Sequence, residues 1–229
     1  MLLLVTDTSG RHGSVALARA RTESCEVEMI EALALEGGNF SALLVPQIAA
    51  LLAKHGFSRK DIGAFIVVAG PGSFTGLRVG LAAIKALAEI LQKPIVPVSL
   101  LEVVALAGQT TSKTRGKMLA ALDASRGDLY VGDYDVEGEN SRLVSEQLMV
   151  KDEFLSLARD AIAVTPDEAL AVSARDAGVA IVLVAPPDAA RIARLGWRKL
   201  QAGETVSPAE LDANYIRRTD AEIFAKPSS

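Results

Sequence analysis

Two short stretches carry residue types that could do chemistry. LLLVTDTSG places Asp7, Thr8, Ser9 and Gly10 at the end of an apolar run. VVAGPGSFTGLRVGLAAIKALAE, residues 67–89, places Gly70, Gly72, Ser73 and Thr75 between a second apolar run and a helical pattern. Ligands of layered α/β folds bind at the carboxyl ends of strands. The backbone N–H groups of GPGSFTG would face into a helix start and could hold an anion, with Ser73 and Thr75 adding hydroxyls. The same residues equally fit a tight strand–helix turn in which Ser73 or Thr75 only caps the helix. Neither GxxxxGK[ST] nor GxGxxG occurs. No lysine follows the loop. Arg78 falls in the first helical turn, where the dipole disfavours it by roughly a few tenths of a kcal/mol. It must be paired, reach a ligand or face water.

Asp7 could hold a hydrated magnesium ion beside a phosphate, since that ion needs only one or two carboxylates. Asp123, which ends a second apolar run in MLAALDASRG, could be its counterpart. Both also read as carboxylates that cap turns after strands. The remaining chemistry is thin. The histidines are His12 and His55, far apart and in no HExxH or HxxxH frame. There is no GxSxG elbow. Cys25, the sole cysteine, lies in an apolar strand pattern. The residues supply no convincing base, nucleophile or metal site.

The elements that must position these residues alternate. Leu2 to Thr6, Ser14 to Ala18 and Cys25 to Glu31 read as strands, the first two joined by a turn at Gly10–Gly13. A helix capped by Asn39 runs to Lys54. Pro46 inside it marks either a kink or a first turn. Phe65 to Val68 is a strand, Gly76 to Leu91 a helix, Pro94 to Val98 a strand, and Leu100 to Ala107 a short helix. GQTTSKTRG, Gly108 to Gly116, is polar and glycine-bounded, and places a domain boundary between residues 108 and 109. The second half repeats the layout: three strands, then helix and strand alternating to a long helix over Asp188–Gln201. Each copy opens with a strand ending in aspartate.

Both N-terminal helices are apolar over more of their circumference than one sheet needs. The first carries Leu43, Leu44, Val45, Ile48, Leu51 and Leu52. The second carries Leu77, Leu81 and Ile84 on one face, with Gly76, Gly80, Ala83 and Leu87 at small-residue spacing beside it. Either a further layer of this chain covers them, or a partner does.

The 229 residues are 50% hydrophobic but only 4% aromatic, so the core is built mostly from Ala, Val, Leu and Ile. A net charge of -4 argues against a nucleic-acid binder acting alone. One cysteine excludes a disulfide scaffold. Neither a signal peptide nor a membrane span is expected, so the reading is a cytoplasmic protein.

LVTDTS at 4–9, GPGSFTGLR within residues 67–89, PVSLLE at 97–102 and ALDASRGDLYVGDY at 121–134 closely resemble the bacterial TsaB family, also called YeaZ. The resemblance implies the actin-like, Hsp70-like and sugar-kinase (ASKHA, ribonuclease-H-like) fold with two related subdomains, here 1–108 and 109–229. It implies a non-catalytic relative of TsaD that binds and stabilises that catalytic subunit. The complex, joined by the ATPase TsaE, forms threonylcarbamoyladenosine at position 37 of tRNAs reading codons that start with A. TsaD holds a metal through HxxxH; this sequence has no such motif. The resemblance further implies no cofactor, contact with tRNA only through the complex, and a homodimer when TsaD is absent. Asp7, Thr8, Ser9, Gly10, the Gly70–Thr75 loop and Asp123 then become vestiges of a nucleotide site. The partner-binding helices match Asn39–Lys54 and Gly76–Leu91. Their interface residues would be Phe40, Leu43, Leu44, Ile48 and Leu51 from the first, and Gly76, Leu77, Gly80, Ala83, Ile84 and Leu87 from the second. Relatives usually have histidine where this chain has Phe40, which would serve as an apolar anchor. The other-class alternative is a small ASKHA-type kinase or ATPase acting on magnesium nucleotide.

Overall fold

The run LLLVTD has no polar side chain before Thr6, and the strand it forms is buried on both faces. The computed structural model describes residues 1–21, 26–36, 39–113, 115–138 and 140–216. Cys25 and the loop glycines Gly37 and Gly38 lie outside the described residues. In chain order the elements are β1 (Leu2–Asp7), β2 (His12–Ala20), β3 (Val27–Glu36), α1 (Phe40–Lys54), β4 (Ile62–Gly70), α2 (Phe74–Leu91), β5 (Ile95–Ser99) and α3 (Leu100–Ser112). The same sequence of elements follows as β6 (Gly116–Asp123), β7 (Asp128–Glu137), β8 (Asn140–Val150), α4 (Lys151–Leu157), β9 (Ile162–Thr165), α5 (Glu168–Asp176), β10 (Ile181–Leu183) and α6 (Ala189–Gln201).

Each set of strands makes one five-stranded sheet, ordered β3-β2-β1-β4-β5 and β8-β7-β6-β9-β10. In both, the first three strands form an antiparallel meander, and the last two join in parallel beside the first. The order 3-2-1-4-5, twice over, is the expected ASKHA, ribonuclease-H-like class. The duplication inferred from element order extends to pairing.

On one face of the first sheet, Leu4, Leu17 and Phe65 pack under Leu44 and Ile48 of α1 and Ile84 of α2. Its other face receives α6. There Gly196 lies so close to β4 that a Cβ would fall 2.5 Å from Ile66 Cγ2. In the second sheet, Leu119, Val131 and Ala163 pack with Phe154 of α4 and Leu170 of α5. Gly108 of α3 meets β9 in the same way, with a Cβ position 2.4 Å from Val164 Cγ2. A glycine on the third helix of one repeat therefore allows close approach to the fourth strand of the other.

This exchange corrects the expected boundary. The compact units are residues 1–103 with 187–214, and residues 104–186. Gly108 is no linker residue: α3 runs through it to Ser112. Thr110, Thr111 and Ser112 donate their hydroxyls to the carbonyls of Leu106, Ala107 and Gly108, so this polar stretch is satisfied within the helix. α1 likewise continues through Pro46, whose position is exposed, as is Ala42 four residues earlier. Water can therefore reach the carbonyl that proline leaves without a donor. Asn39 is the N-cap residue of α1, but its side chain makes no capping bond.

Candidate functional site

The carboxyl end of β1 meets the start of α2, as the two stretches required. The turn after β1 is built by Asp7, whose Oδ1 accepts from Ser9 N at 2.9 Å and from Ser9 Oγ at 2.6 Å. Burial pushes the Asp7 carboxyl above the usual carboxylate range, and the two bonds from Ser9 offset part of that rise. Thr8 and Ser9 are only 2% and 3% exposed.

The GPGSFTG loop closes over this turn. Ser73 N donates to Ser9 O at 2.6 Å, and Thr8 Oγ1 donates to Gly76 O at 2.7 Å. Ser73 caps α2: its Oγ accepts from Gly76 N at 3.3 Å, and its carbonyl accepts from Leu77 N at 2.9 Å. The glycines have one steric cause. A Cβ at Gly72 would sit 2.4 Å from Ser9 O, at Gly76 2.1 Å from Thr8 O, and at Gly80 2.2 Å from Thr8 Oγ1. Gly70, at φ +143, adopts a conformation reserved for glycine, and Asn214 N donates to Ala69 O beside it at 2.8 Å. The geometry thus fits the capped turn. The Ser73 amide, which a phosphate cradle would aim at a ligand, is bonded to Ser9, and those of Gly76 and Leu77 to Ser73. Gly10 lies exposed beyond the turn, and Thr75 is exposed on α2. Arg78 is stacked on Phe74, with Cζ 3.7 Å from the ring centroid.

Asp123 lies in the second unit and makes the same local turn, with Ser125 N donating to its Oδ1 at 2.9 Å. Here the turn is open. Asp123, Ser125, Arg126 and Gly127 are all exposed. Ser125 and Arg126 are left-handed, at φ +63 and +60, ahead of Gly127 at +86. The counterpart of GPGSFTG is only Thr165-Pro166-Asp167. Thr165 Oγ1 donates to Ala121 O, and Asp167 caps α5 by accepting from Leu170 N.

The expected partner interface is substantially corrected. Phe40, Leu44, Ile48, Leu51, Leu77 and Ile84 are buried in the chain's own core. Phe40 lies over β2, where a Cβ at Gly13 would be 2.7 Å from its Cε1, so it is no external anchor. Gly76 and Gly80 are small because Thr8 approaches α2, which removes them from a helix–helix seam. Leu43, Ala83 and Leu87 remain half-buried. Val45 on α1 and Ile90 on α2 are 51% and 73% exposed. Ile90 was not among the expected residues, yet its spacing of seven from Ala83 places it on that face.

His12 is exposed, and His55 Nε2 lies 2.7 Å from Glu31 Oε2. Lys54 and His55 together hold the Glu31 carboxyl below its usual range. Among the described residues no group of three or more His, Cys, Asp or Glu is placed to hold a metal. No helix among them is long and apolar enough to cross a membrane.

The family model described as "TsaD: tRNA N6-adenosine threonylcarbamoyltransferase" matches residues 36–183. The chain is 30% identical over 161 residues to a Bacillus subtilis "tRNA threonylcarbamoyladenosine biosynthesis protein TsaB", covering 70% of this chain and 67% of that protein. It is 26% identical over 232 residues to the Escherichia coli protein of that name, covering 96% of each. In structure it is similar to YeaZ from Pseudomonas aeruginosa, with TM-score 0.71 at 24% identity, covering 93% of this chain and 99% of that one.

Proposed function

We propose that this chain, which belongs to the TsaB (YeaZ) group of the TsaD-type family, is a non-catalytic subunit in the formation of threonylcarbamoyladenosine on tRNA. Its role is to bind and stabilise the TsaD-like catalytic subunit. The observation that carries this reading is the apolar flank of α2, where Ile90, 73% exposed, lies in helical register with Ala83 and Leu87, which are only partly covered by the core. The two helices pack against each other, and each also exposes small residues, Ala42 and Ala49 on α1 and Ala82 and Ala86 on α2. Two helices of a partner can approach such a surface to about 8–10 Å between axes. The same face would hold a second copy when TsaD is absent. A TsaE-like ATPase and the tRNA itself join through the larger complex, in the cytoplasm.

The match to a transferase family does not carry the transferase's chemistry with it. By the resemblance, that chemistry rests on an HxxxH metal site. Here the histidines are His12 and His55, and His55 is engaged by Glu31. The kinase or ATPase alternative requires the Gly70–Thr75 loop to offer its amides to magnesium nucleotide. Ser73 N donates to Ser9 instead, which weighs against it.

Co-purification with the TsaD-type transferase of the same cell tests the reading. Ala86→Arg and Ile90→Arg place a charge at exposed positions of α2, and each should weaken the complex at least tenfold while the circular dichroism stays unchanged. Gly80→Arg is unsuitable, because its side chain would strike Thr8. Undiminished binding by both variants would refute the interface.

A further inference from the structure

After α6 the chain forms no further helix or strand, yet Glu204 to Asn214 is tied to the first sheet at both ends. At one end Glu204 Oε2 lies 2.9 Å from Lys199 Nζ. Next to it Val206 N donates to Ile95 O at 2.9 Å, an isolated antiparallel bridge on β5, the last strand of the sheet. At the other end Asn214 N donates to Ala69 O at 2.8 Å. Ile95 pairs with Phe65, and Ser99 with Gly70, so the two bonds stand at opposite ends of β4 and β5. The four residues from Phe65 to Ala69, at about 3.3 Å each, separate them by about 13 Å.

Between these ends Leu211 is 1% exposed, in the core that α1 and α2 cover, and Val206 and Ala213 pack against the same core. A reciprocal cap sets up the turn before Leu211. Ser207 N donates to Glu210 Oε2 at 2.9 Å, and Glu210 N to Ser207 Oγ at 3.3 Å. Ser207, Ala209, Glu210 and Asp212 are exposed. A segment with one fully buried side chain among exposed ones opens before the whole molecule does. Its far end lies against the glycine stretch. A Cβ at Gly70 would fall 2.8 Å from Asn214 O, and three residues later Ser73 N donates to Ser9 O.

We infer that Glu204–Asn214 is a latch on the start of α2. Seated, it holds the GPGSFTG stretch closed over the turn after β1. Released, it lets that stretch and the first turn of α2 open while both sheets stay folded. One continuous segment reaches from β5 to the carbonyl beside Gly70, so the state of the strap and the state of the loop are coupled. The chain continues past Asn214, so a pull on the C-terminal residues bears first on the bond to Ala69. The latch goes beyond the function proposed above, and stands whether or not the flank of α2 meets the transferase.

Hydrogen exchange of the full chain, read by mass spectrometry, tests the latch. Leu211→Asp puts a charge where the buried side chain sits and expels the strap. Asn214→Pro removes the N–H that Ala69 O accepts. Each should raise exchange over residues 70–77 at least about tenfold, with residues 118–131 of the second sheet unchanged. Exchange over 70–77 that stays at the wild-type rate, even where 204–214 itself exchanges faster, overturns the inference, because the loop then closes without the strap. An equal rise over 118–131 also overturns it, by showing that strap and sheets open as one unit. Should Leu211→Asp not fold, Asn214→Pro decides by the same comparison.

Discussion

The two units contain one turn twice, and treat it in opposite ways. Asp7 and Asp123 each end the first strand of their sheet, and each accepts from the serine two residues on at 2.9 Å. In the first unit the GPGSFTG stretch, running from the end of β4 into the start of α2, is folded over the turn, and Thr8 and Ser9 are buried. In the second the corresponding loop is short, reaches only Ala121, and leaves Ser125 and Arg126 in solvent in left-handed conformations. The difference teaches that the GPGSFTG signature is here a steric device. Its glycines stand where β1 and α2 come closest, and its donors hold that contact shut.

Glycine replacement tests this contrast with the largest effect. Gly76→Ala puts a methyl 2.1 Å from Thr8 O and should cost about 3 kcal/mol in urea unfolding. Gly127→Ala meets no atom within 4 Å and should cost only about 1 kcal/mol, the strain of its positive φ. Equal losses would erase the distinction between a sealed and an open turn. Next in size is Thr8→Val, which removes the hydroxyl donated to Gly76 O and should lower stability by about 1–2 kcal/mol in the same assay. Arg126→Gly should act in the opposite direction. It relieves a left-handed arginine and raises the unfolding midpoint, with a gain of at most about 1 kcal/mol because glycine also adds chain entropy when unfolded.

The smallest effect concerns pH. The folded Asp7 pKa lies above its unfolded value, so its ionised form costs stability. That cost is absent below the ordinary carboxylate range, grows as pH rises from the unfolded pKa through the folded one, and is constant above it. Asp7→Asn keeps an oxygen for Ser9 and should flatten that part of the stability profile. A profile unchanged from wild type would show that the turn is not closed around the carboxylate in solution.

Element order was legible because each strand is a short apolar run bounded by turn residues, and the match between halves followed from it. Burial was not legible in the same way. Leu44 and Val45 are adjacent and equally apolar, yet one is core and the other half exposed, since only the sheet beneath α1 decides which side is inward. Gly80 and Ala83 both look like positions for a close helix neighbour. The neighbour of Gly80 is Thr8, seventy-two residues earlier, and local spacing contains no trace of it. Gly108 failed for a related reason. A glycine beginning a polar stretch resembles a linker until β9 is found against it.

The crossing of α6 onto the first sheet also sets a timetable for synthesis. All five strands of that sheet have been made once Ser99 is joined, but the helix that covers Ile66 ends at Gln201. At about 5–20 residues per second, the ribosome needs roughly 5–20 seconds to supply it. For that interval the nascent chain carries an uncovered greasy surface, a natural point for chaperone capture.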